Sequence, residues 1–485
     1  PARSTPRAVV RWTAVAGFAT AALAGPAAGQ ETRGALEEAR RLRNAGELDL
    51  AATVLGHRLS LAPDDVDARW LLAQTLYWMG DVAAARAEYA RALARRPGDA
   101  GLRLDYARFL IDTGRAGEAK GVLAPLAERA PPGWEPEVRR VERTILAATA
   151  PWARVAPSAR DDSQPLTRMA IEAEAGFWPA DGLSLAVRVT PQRYEGELEI
   201  FGESHEVTAT EAVAAVAYAP AGSPVAVEVS AGVATRDRPE TTDAIVDASV
   251  AVRLPRGIAL RGGGSRQPYL WTVSSLARDV RVDGLEVALD RSGAPRWAFE
   301  AGARRETFDL GEGLSEPGAS GRDDNAVTSA WAWMLAPLWI RDRASLRAGY
   351  AFQWQDSEES RFAGEGTYDP YYTPEEVRVH SVVAAVALRP SPDVSIHADG
   401  AVGLAATERA PQAPPIIGPA DPPGPGLPGA PITFVDRDFT PWRARATLVA
   451  ALGATGELRA EVERNEGAFF EMTRGEVSLT WRLGR

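Results

Sequence analysis

Side chains that could perform covalent chemistry are few in this chain and lie far apart. The 485 residues contain no cysteine, which excludes thiolate nucleophiles, iron–sulfur clusters and thiolate zinc sites. Lys120 is the only lysine, and the four histidines lack metal-ligand spacing. His397 and Asp399 share one face of a strand, whereas His380 and Ser381 point to opposite faces. We therefore predict that the protein is not an enzyme and needs no metal or cofactor.

A larger group of charged side chains alternates with apolar ones and suits binding rather than catalysis. Such a period of two places the charges on one face of a strand. On the inner face of a barrel they would line a wet lumen, where they can bind sugar hydroxyls through charge-assisted hydrogen bonds or simply solvate the wall. The predicted lumen residues that could contact a polymer are Glu172, Glu174, Arg188, Glu228, Glu300, Arg304, Arg347, Asp399, Arg443, Arg445, Glu457, Arg459, Glu461 and Glu463.

The strands that would position these residues occupy 151–485. Alternation is plain in 246–254 and 346–354, and the alternating stretches have the length of tilted membrane strands. Short connections, such as 453–456, alternate with long ones, such as 405–437, as in outer-membrane barrels. Fifteen strands can be marked, and a sixteenth is expected near 152–159, because both ends of the barrel should lie on the same side and loop parity then requires an even number. We predict a transmembrane antiparallel β-barrel of about 16 strands, with 14 as the alternative count.

Residues 31–150 carry three helical repeats. Gly46, Gly80 and Gly114 are 34 positions apart, as are Pro63 and Pro97. The middle copy reads Trp-Leu-x-Ala-x-x-Leu-Tyr-x-x-Gly over 70–80, and a capping helix is expected near 133–149. This spacing resembles the tetratricopeptide repeat. The repeats would offer a docking surface for a periplasmic protein or peptide, or serve as a spacer.

The first 30 residues read as an export signal. Arg3, Arg7 and Arg11 precede an apolar run over 12–24, and small residues follow. The run is short for a bilayer span, so a secretory signal peptide is predicted for 1–30, with an N-terminal anchor as the alternative. The fold class is therefore α + β multidomain, with an all-α repeat stack followed by the barrel.

Composition limits the partners. The formal charge of −11 makes nucleic acid an improbable ligand. The 14 tryptophans are many for a chain with 12 phenylalanines, and tryptophan favours membrane interfaces. The pattern predicts contact with outer-membrane lipid in a Gram-negative-type cell, with the repeats in the periplasm.

The order of signal, repeats and barrel resembles a family of outer-membrane exopolysaccharide exporters. The resemblance to the C-terminal barrel region of the outer-membrane exporter of cellulose synthase rests on 368–377, Tyr-Asp-Pro-Tyr-Tyr-Thr-Pro-Glu-Glu-Val, which leads into a strand. It implies a channel for a cellulose-like or other neutral or cationic polymer. The alternative is a non-conducting structural or docking protein of the repeat-plus-barrel type.

Overall fold

The fold was analysed in a computed structural model of the chain. It describes residues 27–163, 166–198, 203–254, 257–277, 279–291, 297–309, 324–360, 362–364, 367–368, 372–412, 433–468 and 470–484. Most of the predicted signal segment, part of the 368–377 motif and most of the proline-rich loop near 411–430 lie outside these residues.

Seven helices form the N-terminal part. They are α1 Ala27–Ala45, α2 Leu48–Leu61, α3 Val66–Met79, α4 Val82–Arg95, α5 Ala100–Asp112, α6 Ala116–Glu128 and α7 Glu135–Thr149. None of the helices in the described ranges combines the length and hydropathy needed to cross a membrane.

The repeat spacing has a direct structural cause. Gly80 and Gly114 adopt positive φ angles of 90° and 76° at the turns inside the helix pairs, where a side chain would be strained. Asp65 and Asp99, also 34 apart, cap α3 and α5 by accepting backbone N–H groups at 3.0 Å. The pairs then bury a shared core that includes Tyr89, whose ring stacks on another tyrosine at 5.2 Å.

The strands occupy the rest of the described chain. They are β1 Trp152–Asp162, β2 Leu166–Ala180, β3 Leu183–Leu198, β4 Glu203–Tyr218, β5 Val225–Asp237, β6 Glu240–Leu254, β7 Ile258–Pro268, β8 Arg281–Arg291, β9 Ala298–Asp309, β10 Asp324–Arg341, β11 Ala344–Ser357, β12 Phe362–Gly364, β13 Thr367–Tyr368, β14 Glu376–Ser391, β15 Val394–Gln412, β16 Thr433–Phe439, β17 Trp442–Leu452, β18 Gly456–Glu466 and β19 Glu471–Arg482. A short helix, α8 Val273–Ala277, lies between β7 and β8.

All of these strands except β12 and β13, which pair only with each other in the described residues, close into one antiparallel barrel. β1 pairs with both β2 and β19, which seals the sheet. β16 and β17 pair with successive parts of β15 and together occupy one strand position, so the 17 strands of the sheet fill 16 positions around the barrel. The predicted fold class is confirmed. The sixteenth strand expected near 152–159 is β1.

The outer wall is apolar and carries an aromatic rim. Large aliphatic side chains such as Val187 and Leu285 are 59% and 69% exposed, which is costly in water but suits lipid. Tyr218, Trp297 and Trp339 lie exposed at the strand ends nearest the repeats. Tyrosine and tryptophan in that position form the girdle that marks a membrane–water interface.

The repeats lie against one end of the barrel, which we call the turn end because its connections are short. Gly222 donates to the carbonyl of Thr113 at 3.4 Å. On the other side of the rim, Arg143 of α7 pairs with Asp393 at 2.7 Å. A Cβ at Gly117 would lie 2.9 Å from an Asp181 oxygen. The opposite end carries the longer connections and is called the loop end.

Candidate functional site

The inner face of the barrel can be identified from one contact. The guanidinium of Arg160 on β1 lies 4.4 Å from the ring centroid of Trp271, which belongs to the connection between β7 and β8 on the far side of the barrel. Only the face of β1 that looks into the lumen can make this contact. The strand registers place all fourteen predicted lumen residues on this same face.

Arg154 is the centre of the first charge cluster. Its guanidinium donates to Glu172 of β2 and, at 2.7 Å, to Glu476 of β19. Glu174 lies 4.0 Å away, and Arg188 of β3 lies 4.0 Å from Glu172. The structure thus brings three of the predicted residues together around an arginine that the sequence analysis missed.

A second group of pairs lines β15, β17, β18 and β19. Arg445 binds Asp399 at 2.8 Å, and Arg443 binds Glu463 at 2.7 Å, both across neighbouring strands. The remaining contacts of the group join Arg459 to Glu461 at 2.6 Å, Thr447 to Glu461 at 3.2 Å and Arg482 to Glu457 at 3.4 Å. Every residue predicted in these strands takes part.

The third cluster combines charge with an aromatic ring. Arg261 of β7 bridges Asp290 of β8 at 2.9 Å and Glu300 of β9 at 2.8 Å. Trp331 of β10 donates its indole N–H to Glu300 at 2.8 Å. The indole lies over Gly302, where a Cβ would come within 2.5 Å of the ring, so only glycine permits this position.

The remaining predicted residues lie apart from these clusters. Arg304 pairs with its strand neighbour Glu306 at 2.9 Å, and Arg347 lies on the inner face of β11. Glu228 lines a cavity at the turn end. Of the missed members, Arg261 follows the outward-facing Leu260 in β7, so alternation could have revealed it, whereas β1 alternates too weakly to reveal Arg154.

The loop end of the lumen contains a folded segment that the sequence analysis did not foresee. Residues 269–280 turn inward, and a backbone bond from Tyr269 to Val280 of 2.8 Å closes the segment. Leu276 of α8 is fully buried and packs with Leu166 of β2, Tyr194 of β3 and Val207 of β4 on the inner wall. The sequence marked this stretch as a long outer loop, because alternation cannot show which loop turns into the lumen.

Charged residues hold this inward segment in place. Arg236 of β5 pairs with Asp279 at 3.0 Å, and Arg281 binds Asp243 of β6 at 3.0 Å. Arg236 and Asp243 are each only 4% exposed. Because breaking a buried pair leaves an uncompensated charge, these contacts favour a single position of the segment.

The arrangement can bind hydroxyl groups but shows no catalytic constellation among the described residues. His397 lies opposite Thr447 on the inner wall, with Asp399 one step away on the same face. Asp399 is engaged by Arg445 rather than by His397. His380 lies on the outer face beside Phe352, whose ring centroid is 5.0 Å away.

One family model matches part of the helical repeats. It is described as tetratricopeptide repeat and matches residues 79–143. A search of curated protein sequences finds no match.

Three solved structures are similar at low identity. A bacterial polysaccharide outer-membrane secretin aligns over 70% of this chain and 99% of its own, with 10% identity and a TM-score of 0.48. The CymD monoaromatic hydrocarbon channel aligns over 71% and 91%, with 10% identity and a TM-score of 0.33. OccK5 (OpdH) of Pseudomonas aeruginosa aligns over 69% and 98%, with 8% identity and a TM-score of 0.30.

Proposed function

We propose that the protein is an outer-membrane channel that exports an exopolysaccharide, cellulose-like or otherwise neutral or cationic. The observation that supports this most is the closed barrel with 16 strand positions, which is apolar outside and lined inside by guanidinium and carboxylate groups that lie side by side. Barrels of 16 strands are wide enough to enclose an aqueous channel. An apolar exterior places such a barrel in a membrane.

The proposed mechanism involves binding and release but no covalent step. Paired charges such as Arg445 and Asp399 present donors and acceptors side by side, 2.8 Å apart. A sugar hydroxyl can exchange with one partner while the other stays bound, so a chain can move along the wall with small barriers. The excess of carboxylates in the chain disfavours a strongly anionic polymer through like-charge repulsion.

The topology that accompanies this function puts the turn end and the repeats in the periplasm, where the repeats dock a partner protein or peptide. Short periplasmic turns and longer outer loops are the arrangement of outer-membrane barrels. The chain has no cysteine, so single cysteines report topology cleanly. With a membrane-impermeant maleimide on whole cells, Gly467→Cys at the loop end should react, and Asp342→Cys at the turn end should be protected.

A non-conducting structural or docking role is the second candidate, and the inward segment 269–280 is the observation that favours it. Conductance of the purified chain in a planar bilayer separates the two. The channel predicts steady conductance that neutral or cationic oligosaccharides block. A correctly folded barrel that never conducts would refute the export function and leave the docking role.

A further inference from the structure

A cavity of about 520 Å³ lies where the repeats meet the lumen, and we call it the vestibule. Ile111 and Ala148 line its repeat side, while Trp178, Glu228 and Ser249 belong to its barrel side. Its volume falls within the range of roughly 300–1,000 Å³ that small-molecule sites occupy. The vestibule is therefore large enough for a short stretch of a polymer.

Trp178 gives the vestibule an unused hydrogen-bond donor. Its indole nitrogen is buried and has no acceptor among the described residues. A buried donor without a partner is unfavourable, so a ligand oxygen that accepts a hydrogen bond from it gains binding free energy. A rotation of the indole is needed to present this nitrogen to the cavity. Trp152 lies beside it, with ring centroids 5.9 Å apart, and adds a second aromatic surface.

The charges around the vestibule are unequal. Glu228 is exposed to the cavity and takes part in no ion pair within the described chain, and Asp181 also lines the cavity. Arg261 lies at the edge of the vestibule, but its guanidinium is already held by Asp290 and Glu300. Glu228 and Asp181 therefore disfavour an anion placed beside them, and the Glu228 carboxylate can accept hydrogen bonds from hydroxyl or ammonium groups.

We propose that the vestibule is a binding subsite for a hydroxyl-rich, non-anionic oligosaccharide segment, bound between the repeats and the lumen wall. Trp178 donates to a sugar oxygen, Glu228 accepts from a hydroxyl or an amino group, and the rings of Trp152 and Trp178 offer apolar contact to the sugar face. This subsite rests on the proposed export function, because it would hold the chain as it passes from the periplasm to the lumen.

The test is calorimetric titration of the full chain in detergent with cellotetraose, a glucosamine tetramer and a tetragalacturonate. Binding of the first two and not of the anionic third is expected. Trp178→Phe, which keeps the ring and removes the N–H, should weaken binding about threefold to tenfold. Glu228→Gln should weaken the glucosamine tetramer more than cellotetraose, since only the former carries positive charge.

Matched controls come from an outward-facing pair, in which Trp354 donates to Glu376 at 2.9 Å. Trp354→Phe and Glu376→Gln should bind like the wild type. If the Trp178 and Glu228 variants also bind like the wild type, or if the wild type prefers the anionic sugar, the subsite is refuted. Calorimetry does not depend on conductance. A barrel that binds sugar but never conducts would refute the export function and keep the subsite. A barrel that conducts, but whose Trp178 and Glu228 variants bind sugar like the wild type, would refute the subsite and keep the export function.

Discussion

The guanidinium of Arg160 lies 4.4 Å from the centroid of the Trp271 indole, although Arg160 belongs to β1 and Trp271 to the connection between β7 and β8, across the barrel. The contact exists because residues 269–280 enter the lumen. Arg160 is itself only 5% exposed. Because Trp271 is 49% exposed, this cation–π contact contributes about 1 kcal/mol rather than the larger amount of a fully desolvated pair. The pair thus joins two walls of the lumen at the loop end.

Removal of the inward segment should widen the channel. Replacing Leu270–Ala277 by four glycine and serine residues removes Leu276 and its packing against β2, β3 and β4. Single-channel conductance in a planar bilayer should rise about twofold or more, since the unobstructed lumen of a 16-stranded barrel is an aqueous channel. Leu285→Ala on the outer wall is the control and should conduct like the wild type. Unchanged conductance after the replacement would show that the narrowest point lies elsewhere.

Arg154 should contribute more to barrel stability than an exposed arginine does. It contacts Glu172 and Glu476, and all three side chains are about three-quarters buried. Arg154→Ala removes the cation that both carboxylates share, although Glu476 keeps Arg474 at 3.0 Å, and should lower the free energy of unfolding in urea by about 1.5–3 kcal/mol. In the control, Arg266→Ala breaks an exposed pair with Asp283 and should cost only about 0–1 kcal/mol. Equal losses of unfolding free energy in the two variants would contradict the larger contribution expected of Arg154.

The position of the repeats predicts a specific disulfide. A Cβ at Gly117 would lie 3.3 Å from Cγ of Asp181, which is close to the position that the sulfur of a cysteine at 181 would take, so cysteines at both positions can approach each other closely enough to react. The double variant Gly117→Cys, Asp181→Cys should form it under mild oxidation, seen as a mobility shift on a non-reducing gel. The pair Gly117→Cys, Asp342→Cys uses another turn of the rim and should stay reduced. A bridge in the control pair would mean that the repeats move over the rim.

Tyr77 predicts alkaline sensitivity of the repeats. Burial, helped by the negative charge of Asp112, raises the pKa of Tyr77 from 10.0 to about 12. The unfolded chain therefore loses this proton at lower pH than the folded chain. The stability that Tyr77 contributes is complete below pH 10.0 and is lost as pH rises toward about 12.

Thermal unfolding of the helices, followed by far-UV circular dichroism, checks this prediction. The melting temperature should fall more steeply with pH in the wild type than in Tyr77→Phe. Tyr218→Phe, on the outer wall of the barrel, should follow the wild type. Parallel curves for the wild type and Tyr77→Phe would remove Tyr77 as the cause.

Individual strands were well predicted because a strand's side chains alternate by backbone geometry alone. Leu458, Ala460 and Val462 face outward and Glu457, Arg459 and Glu461 inward, as the pattern indicates. The first strand was visible only through the parity of the loops, since Pro157 and several small residues weaken its alternation. The partners of each charge were not predictable, because cross-strand pairing depends on register.

The sequence by itself determined the elements: a 34-residue period for the helical repeats, a period of two for the strands, and loop lengths that give the barrel its two ends. These features are local, and each follows from the geometry of a few neighbouring residues. Only the tertiary structure decided that Arg154 binds carboxylates from two neighbouring strands, that Leu276 packs against β2, β3 and β4, and that a vestibule with Trp178 lies between the repeats and the lumen. Such contacts join residues far apart in sequence, and they form only when the barrel closes and brings its walls together.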